Sequence, residues 1–202
     1  NNYTKAMDLY DQLVNVAEDD NSRLQGRVGY LRSSVILETP ENIRKAATAL
    51  LNEYKVTDEL RDEARICIAR TYYDNGHQFR QADSVYALLK SSTNSDYSGE
   101  ASYRIAESLF KQRRYDEAEQ AIEAITADPA NDYYLAKSFI LWADIFHERG
   151  NNLQAKQTLQ SIIDNYDGDD LVQLALQKRN AILEEENPVQ QPEEEEIVIE
   201  MN

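Results

Sequence analysis

Phe110-Lys111-Gln112-Arg113-Arg114-Tyr115-Asp116-Glu117-Ala118 reads as aromatic, four residues, aromatic, two residues, alanine. Tyr103 and Ala106 precede it, and Ile122 and Ile125 follow. The arrangement returns in Phe146-His147-Glu148-Arg149-Gly150-Asn151-Asn152-Leu153-Gln154-Ala155, with Ala143 before and Leu159 and Ile162 after. It returns again from Tyr72-Tyr73-Asp74-Asn75-Gly76 through Phe79 and Ala82 to Tyr86 and Leu89, and more faintly around Ala46 and Ala6. The anchor alanines 6, 46, 82, 118 and 155 lie 40, 36, 36 and 37 residues apart. A near-constant period of this size marks stacked helical hairpins, because one hairpin cannot bury its apolar sides alone and its neighbours complete the core.

Within the period, the apolar residues of 131–149 recur at three- and four-residue steps: Tyr134, Leu135, Ile140, Leu141, Trp142, Ile145 and Phe146. That spacing is the buried stripe of a helix. The pattern predicts ten helices. They are a B-type helix over 3–17, A/B pairs over 20–37/41–54, 57–75/78–91, 96–112/115–127 and 131–149/151–166, and a last helix over 169–185. Pro40 with Glu41 suits a helix's first turn. Asp167-Gly168 ends one helix, and Asp169 or Asp170 can cap the next.

On these residues the chain resembles the tetratricopeptide repeat family over 3–166, most closely in 99–129 and 131–166. There Ala106/Ala118 and Ala143/Ala155 take the small close-contact positions, Pro129 sits near the terminal proline, and Trp142 and Gly150 match the aromatic and the turn glycine. It departs from the family in a spacing longer than 34 residues, in Arg113-Arg114 at the turn glycine, and in a degenerate copy over 29–46. The resemblance implies an all-α fold, a right-handed α-α superhelix of antiparallel pairs. The stretches Leu135–Leu141 and Gln154–Tyr166 look most like long multi-repeat members of the Gram-negative envelope, which implies a periplasmic or outer-membrane-associated place.

The segments expected are a B-type half-repeat over 1–18, four helix pairs over 19–166, a capping helix over 167–186 and an acidic tail over 187–202. A half-repeat at the start leaves an apolar flank that a terminal repeat normally covers. The chain is therefore expected to be the C-terminal part of a longer array.

Composition narrows the function classes. With 42% hydrophobic and 29% charged residues the chain has the balance of a folded protein. Six Gly and four Pro are too few for the turns of a sandwich or barrel. There is no apolar run of membrane-spanning length. The net charge of −16 argues against nucleic acid, whose phosphates need a basic surface. That charge is uneven: eight Glu and no Lys or Arg over 184–202 carry half of it.

A search for chemistry yields no catalytic, cofactor or metal constellation. His147-Glu148 lacks the second His at 151, which is Asn, and His77 falls in a turn. Asp164, Asp167, Asp169 and Asp170 lack the order of a calcium loop. No Gly-rich phosphate loop occurs. Cys67, the one cysteine, lies between Ile66 and Ile68 on a helix pattern and reads as a packing residue.

Aligning the A helices on Leu31, Ala69, Ala106 and Ala143 puts Arg32, Arg70, Glu107 and Asp144 next on the inner face. Val35, Tyr73, Phe110 and His147 come four residues after each anchor, and Val28, Ile66, Tyr103 and Ile140 three before. This lane of Arg32, Val35, Ile66, Arg70, Tyr73, Tyr103, Glu107, Phe110, Ile140, Asp144 and His147 is the candidate groove for a protein or peptide partner. Two readings stay open. The arginines either pair with neighbouring acids or hold a partner's carboxylate, and the aromatics either pack between helices or floor the groove. The family's chaperone-type carboxylate clamp does not match, since Arg32, Glu107 and Asp144 stand in its asparagine lane.

In the tail, Glu193–Glu196 precedes Ile197, Val198, Ile199 and Met201, either a solubilising end or a short acidic-apolar docking motif. The expected function is a non-enzymatic scaffold binding a partner segment along the A helices, in envelope assembly by resemblance. Self-association through the half-repeat or through Glu193–Asn202 is the alternative, and an enzyme on a helical array the remote one.

Overall fold

The computed structural model describes residues 2–74 and 78–187. Ten α-helices occur among them: α1 (Asn2–Val16), α2 (Asp20–Ile36), α3 (Pro40–Leu51), α4 (Asp58–Asp74), α5 (Phe79–Tyr86), α6 (Ser95–Lys111), α7 (Tyr115–Ala127), α8 (Asp132–Glu148), α9 (Asn152–Asn165) and α10 (Asp169–Glu186). No strand occurs among the described residues, and no helix there is long and apolar enough to cross a membrane. The architecture is all-α, a helical repeat of A-type (α2, α4, α6, α8) and B-type (α1, α3, α5, α7, α9) helices.

The ends differ most from expectation at α3 and α5. Helix α3 stops at Leu51, where Lys55 takes φ 67° and Val56 is buried in the core. Helix α5 tightens after Tyr86 into a 3-10 turn, Ala87–Leu89, with Leu89 fully buried. In both cases a core side chain wins over continued helical bonding.

Sequence explains how the helices start and stop. Asp19 caps α2 by accepting from the Ser22 N–H, Asn94 caps α6 by accepting from Asp96 and Tyr97, and Asn151 caps α9 by accepting from Gln154. Pro40 opens α3. Three A-to-B turns share one backbone form. Glu38, Arg113 and Gly150 take φ 51°, 59° and 75°. Each donates its N–H to the carbonyl three residues back, and the next residue donates to the carbonyl five back: Thr39 to Ser34, Arg114 to Leu109, Asn151 to Phe146. This is the left-handed helix stop that glycine suits best. At 113 an arginine meets the same requirement.

The chain forms two compact units, residues 1–141 and 142–202, divided within α8. In the first, α2, α3 and α4 share a core of Leu31, Ile43, Ala46, Ala47, Leu50, Val56 and Ala64. The next core, of α4, α5 and α6, holds Ile66, Ala69, Tyr73, Ala82, Tyr86, Leu89 and Ala101. In the second unit Ala155, Leu159, Ile162, Leu171, Ala175 and Ile182 are buried. Anchors Leu31, Ala69, Ala106 and Ala143, and alanines 46, 82, 118 and 155, are all buried. The small residues recur because helix axes approach closely there.

Candidate functional site

The face of the A helices is laced by polar bonds that run from one A helix to the next. In residues 1–141, Arg32 of α2 donates through Nε and Nη2 to both oxygens of Glu63 on α4, at 2.7 and 2.8 Å. Arg70 of α4 does the same to Glu100 on α6, at 2.8 and 2.5 Å. The Tyr73 hydroxyl donates to Glu107 at 2.7 Å, and the Tyr134 hydroxyl on α8 to Glu100 at 3.2 Å. Glu107 also accepts from Tyr103 at 3.2 Å and from Arg104 at 2.9 Å. The separations are 31 and 30 residues for the arginine–glutamate pairs and 34 for both tyrosine–glutamate pairs, so one helix-to-helix register produces the whole ladder.

Rings and cations complete it. Arg104 and Lys111 each lie 4.7 Å from the Tyr73 ring centre, and Lys137 lies 4.5 Å from that of Tyr103. Burial pushes the Glu100 carboxyl up, but the Arg70 hydrogen bonds and charge, with Arg104 and Tyr134, more than offset it. Glu100 therefore sits below the usual carboxylate range. Glu107 behaves alike, burial being outweighed by Tyr73, Arg104 and Lys111. Burial and the neighbouring glutamates push the Tyr73, Tyr86 and Tyr134 hydroxyls upward. These are ionised acids and neutral phenols locked together, a structural arrangement with no poised base or nucleophile. Burial likewise pushes the Cys67 thiol up to about 11, which keeps it protonated at neutral pH.

The lane residues therefore separate. Ile66, Tyr73, Tyr103 and Ile140 are buried. Tyr73 stacks edge-on to Phe79 and Tyr86, and Tyr103 lies 6.0 Å from Tyr134. Half-buried Phe110 packs on Tyr115 at 5.6 Å. These side chains fill inter-helix space rather than floor a groove. Arg32, Val35 and Arg70 are exposed at the surface, and both guanidinium forks already hold a carboxylate. In residues 142–202, Asp144 accepts from Lys178 at 2.8 and 3.0 Å. Burial nonetheless keeps its carboxyl above the usual range. There His147 Nδ1 lies 2.8 Å from Asn152 Oδ1, and its Nε2 lies 3.4 Å from Glu185. His77 and the tail residues Ile197, Val198, Ile199 and Met201 lie outside the described residues.

Two surface grooves remain on the α2–α4 region. One of about 370 Å³ is lined by Val35, Glu38, Pro40, Ile43, Cys67, Arg70, Thr71 and Asp74. The other, about 640 Å³, lies along α1 and α2 with Leu60 of α4 at its end. Among the described residues no cluster of His, Cys, Asp and Glu could hold a metal ion. The partners Glu63 and Glu100 were not singled out from sequence. Their signal was there, since 63 and 100 are 37 residues apart, close to the 38 that separate Arg32 from Arg70.

No curated protein matches the chain. The tetratricopeptide repeat family matches residues 100–128 and 132–169, the segments that fold as α6–α7 and α8–α9. The match identifies those two segments as tetratricopeptide repeats, and the turn that closes α6 at Arg113 and α8 at Gly150, with the buried small anchors Ala106, Ala118, Ala143 and Ala155, agrees with it.

Proposed function

We propose that the chain is a non-enzymatic scaffold that docks a segment of a partner protein on the A-helix face of α2 and α4. Tetratricopeptide repeats generally serve as protein-interaction scaffolds. The observation that carries the reading is the 370 Å³ groove, where Val35, 40% exposed, and Pro40, Ile43 and Cys67 make an apolar floor under a polar rim of Glu38, Arg70 and Asp74. An apolar side chain of an extended segment fits the floor, and the rim supplies hydrogen bonds to its backbone. Glu38 and Asp74 at the rim disfavour a run of acids, so the segment Glu193–Glu196 is a poor occupant here.

Peptides selected for binding from a random display library test this. Binding should be lost in Val35→Asp and unchanged in Leu153→Asp, an exposed position in the second unit. Selected peptides indifferent to Val35→Asp sink the reading. Self-association is the second reading, favoured by Leu9 and Val16, which stand 54% and 73% exposed on α1. Light scattering that gives a monomer mass at every concentration removes it. A place in the bacterial envelope extends the proposal on the likeness of residues 135–166 alone, and cell fractionation tests it.

A further inference from the structure

A pocket of about 360 Å³ lies inside the array, between α6, α7 and the start of α8. Ser98 and Ser102 of α6 line one side, Ile125 and Asp128 at the end of α7 another, and Asn131 and Tyr134 close it. Superposing the A helices on Leu31, Ala69, Ala106 and Ala143 puts these two serines in register with Arg23 and Arg27 on α2. On α4 the same positions are Arg61 and Arg65, and on α8 they are Leu135 and Phe139. Superposing the B helices on Ala82 and Ala118 puts Ala121 and Ala124, which also line the pocket, on Val85 and Leu88 of α5. The pocket is the space that shorter side chains leave in this one repeat.

On α2 the two positions bring guanidinium groups onto one acid. Arg27 donates to Glu53, just past the end of α3, at 2.9 Å, and Arg23 donates to the same carboxylate at 3.3 Å. In the α6–α7 repeat the arginines are absent and an acid remains. Asp128 caps α7 one turn beyond the register of Glu53, where the negative end of the helix dipole also lies. Lys90, the other charged residue of the lining, is exposed, and its flexible stem lets the ammonium turn to water. The α8 wall is fixed before anything binds. Asn131 Nδ2 donates to the Ser95 carbonyl and to Asp96, both at 3.1 Å, and the Tyr134 hydroxyl is held by Glu100. Gly99 admits the Tyr134 ring, since a Cβ there would lie 2.7 Å from Tyr134 Cδ2.

We propose that this pocket receives one arginine side chain of a bound partner protein. Its methylene stem lies on Ile125 and the α7 alanines, and its guanidinium meets Asp128 and the Ser102 hydroxyl. The occupant thus supplies from outside the group that Arg23 and Arg27 supply from within their own repeat. A net charge of −16 favours a basic segment as the carrier of that arginine. The preformed walls keep the cost of ordering the site low. The pocket shares no residue with the Val35 groove, and neither proposal rests on the other.

N-acetyl-arginine amide is the probe, because capping both ends leaves the guanidinium as its one charge. Titrated into the full chain and followed by amide chemical shifts, it should bind saturably and move the signals of Ser98, Ser102 and Asn131. N-acetyl-citrulline amide, of the same shape and uncharged, should bind about tenfold more weakly. Asp128→Asn, at an exposed position, should erase that preference and leave the circular dichroism unchanged. Ser102→Arg should fill the pocket from within, as Arg27 does in its own repeat, and abolish binding while the Val35-dependent peptides still bind. Five results overturn the proposal. They are no saturable shift at the solubility limit of the probe, equal binding of arginine and citrulline probes, or binding that both variants leave unchanged. Tighter binding of free arginine than of the capped form would make the ligand a free amino acid, and tighter binding of N-acetyl-glutamate amide would make Lys90 the group that sets the sign.

Discussion

Arg70→Ala isolates what the ladder is worth. The Glu100 side chain is 5% exposed and accepts two charge-assisted hydrogen bonds from Arg70. Breaking a buried ion pair costs about 3–5 kcal/mol, because the remaining charge is left without its counterion. Arg70 is 46% exposed, so water enters part of the vacated space and lowers the figure to about 2–3 kcal/mol. In a chain of this size that is a fall in Tm of about 4–12 °C.

The pH dependence gives the sharper test. In the parent, Glu100 lies below the ordinary carboxyl range, so its stabilisation is present above the unfolded pKa of about 4.3 and is lost as pH falls through the lower folded value. Without Arg70, burial dominates and the Glu100 carboxyl rises above its unfolded value. The penalty is then full at neutral pH and vanishes as pH falls through that raised value. The two proteins should differ most at pH 7, and the difference should shrink as pH falls and close only once pH is below the lowered Glu100 value of the parent. Arg70→Ala/Glu100→Gln should be more stable than Arg70→Ala at pH 7, since the neutral amide removes the stranded charge.

Urea unfolding followed by circular dichroism measures the difference. Hydrogen exchange of α4 and α6 localises it, because repeat arrays depart from two-state behaviour. A loss below about 1 kcal/mol that does not change with pH would show that water satisfies Glu100 and would refute the reasoning.

Three further outcomes follow from the turns and contacts. Arg113→Gly should stabilise by about 0.5–1 kcal/mol, the relief of a left-handed residue exceeding the added freedom of the unfolded chain; a lower Tm would contradict the shared turn. Gly26→Ala should loosen α1, since the new methyl would lie 2.7 Å from Val14 Cγ2 and 3.1 Å from the Tyr10 carbonyl. Its overpacking cost of about 1–3 kcal/mol exceeds the gain in helix propensity of about 1 kcal/mol, and unchanged hydrogen exchange over α1 would count against it. Cys67, with its thiol pushed up to about 11, should react with iodoacetamide at pH 8 roughly a hundredfold more slowly in the folded than in the urea-unfolded chain; equal rates would remove the burial.

Residues whose meaning is local could be interpreted from the chain alone. The alanine period placed ten helices because burial at close helix contacts tolerates only small side chains, and that constraint recurs at each hairpin. Pro40 marks a helix start because the first turn involves only the next few residues. The same locality marked Arg113 as the residue standing where a turn glycine belongs.

The candidate lane was legible as a face and not as a set of roles. Position 70 reads as an inward arginine from its spacing. Whether its fork is free or filled depends on Glu100, thirty residues away, and on which helix lies beside it. Tyr73 and Val35 occupy the same repeat position, yet Tyr73 is buried and Val35 stands 40% exposed. That difference comes from the neighbours: Phe79, Tyr86 and Glu107 enclose Tyr73. The amino-acid sequence by itself determined the helices, their period and the faces they bury, because these follow from spacing along one chain. Only the tertiary structure decided which charges are spent on each other and which clefts stay open, because burial and ion pairing belong to residues brought together from separate repeats.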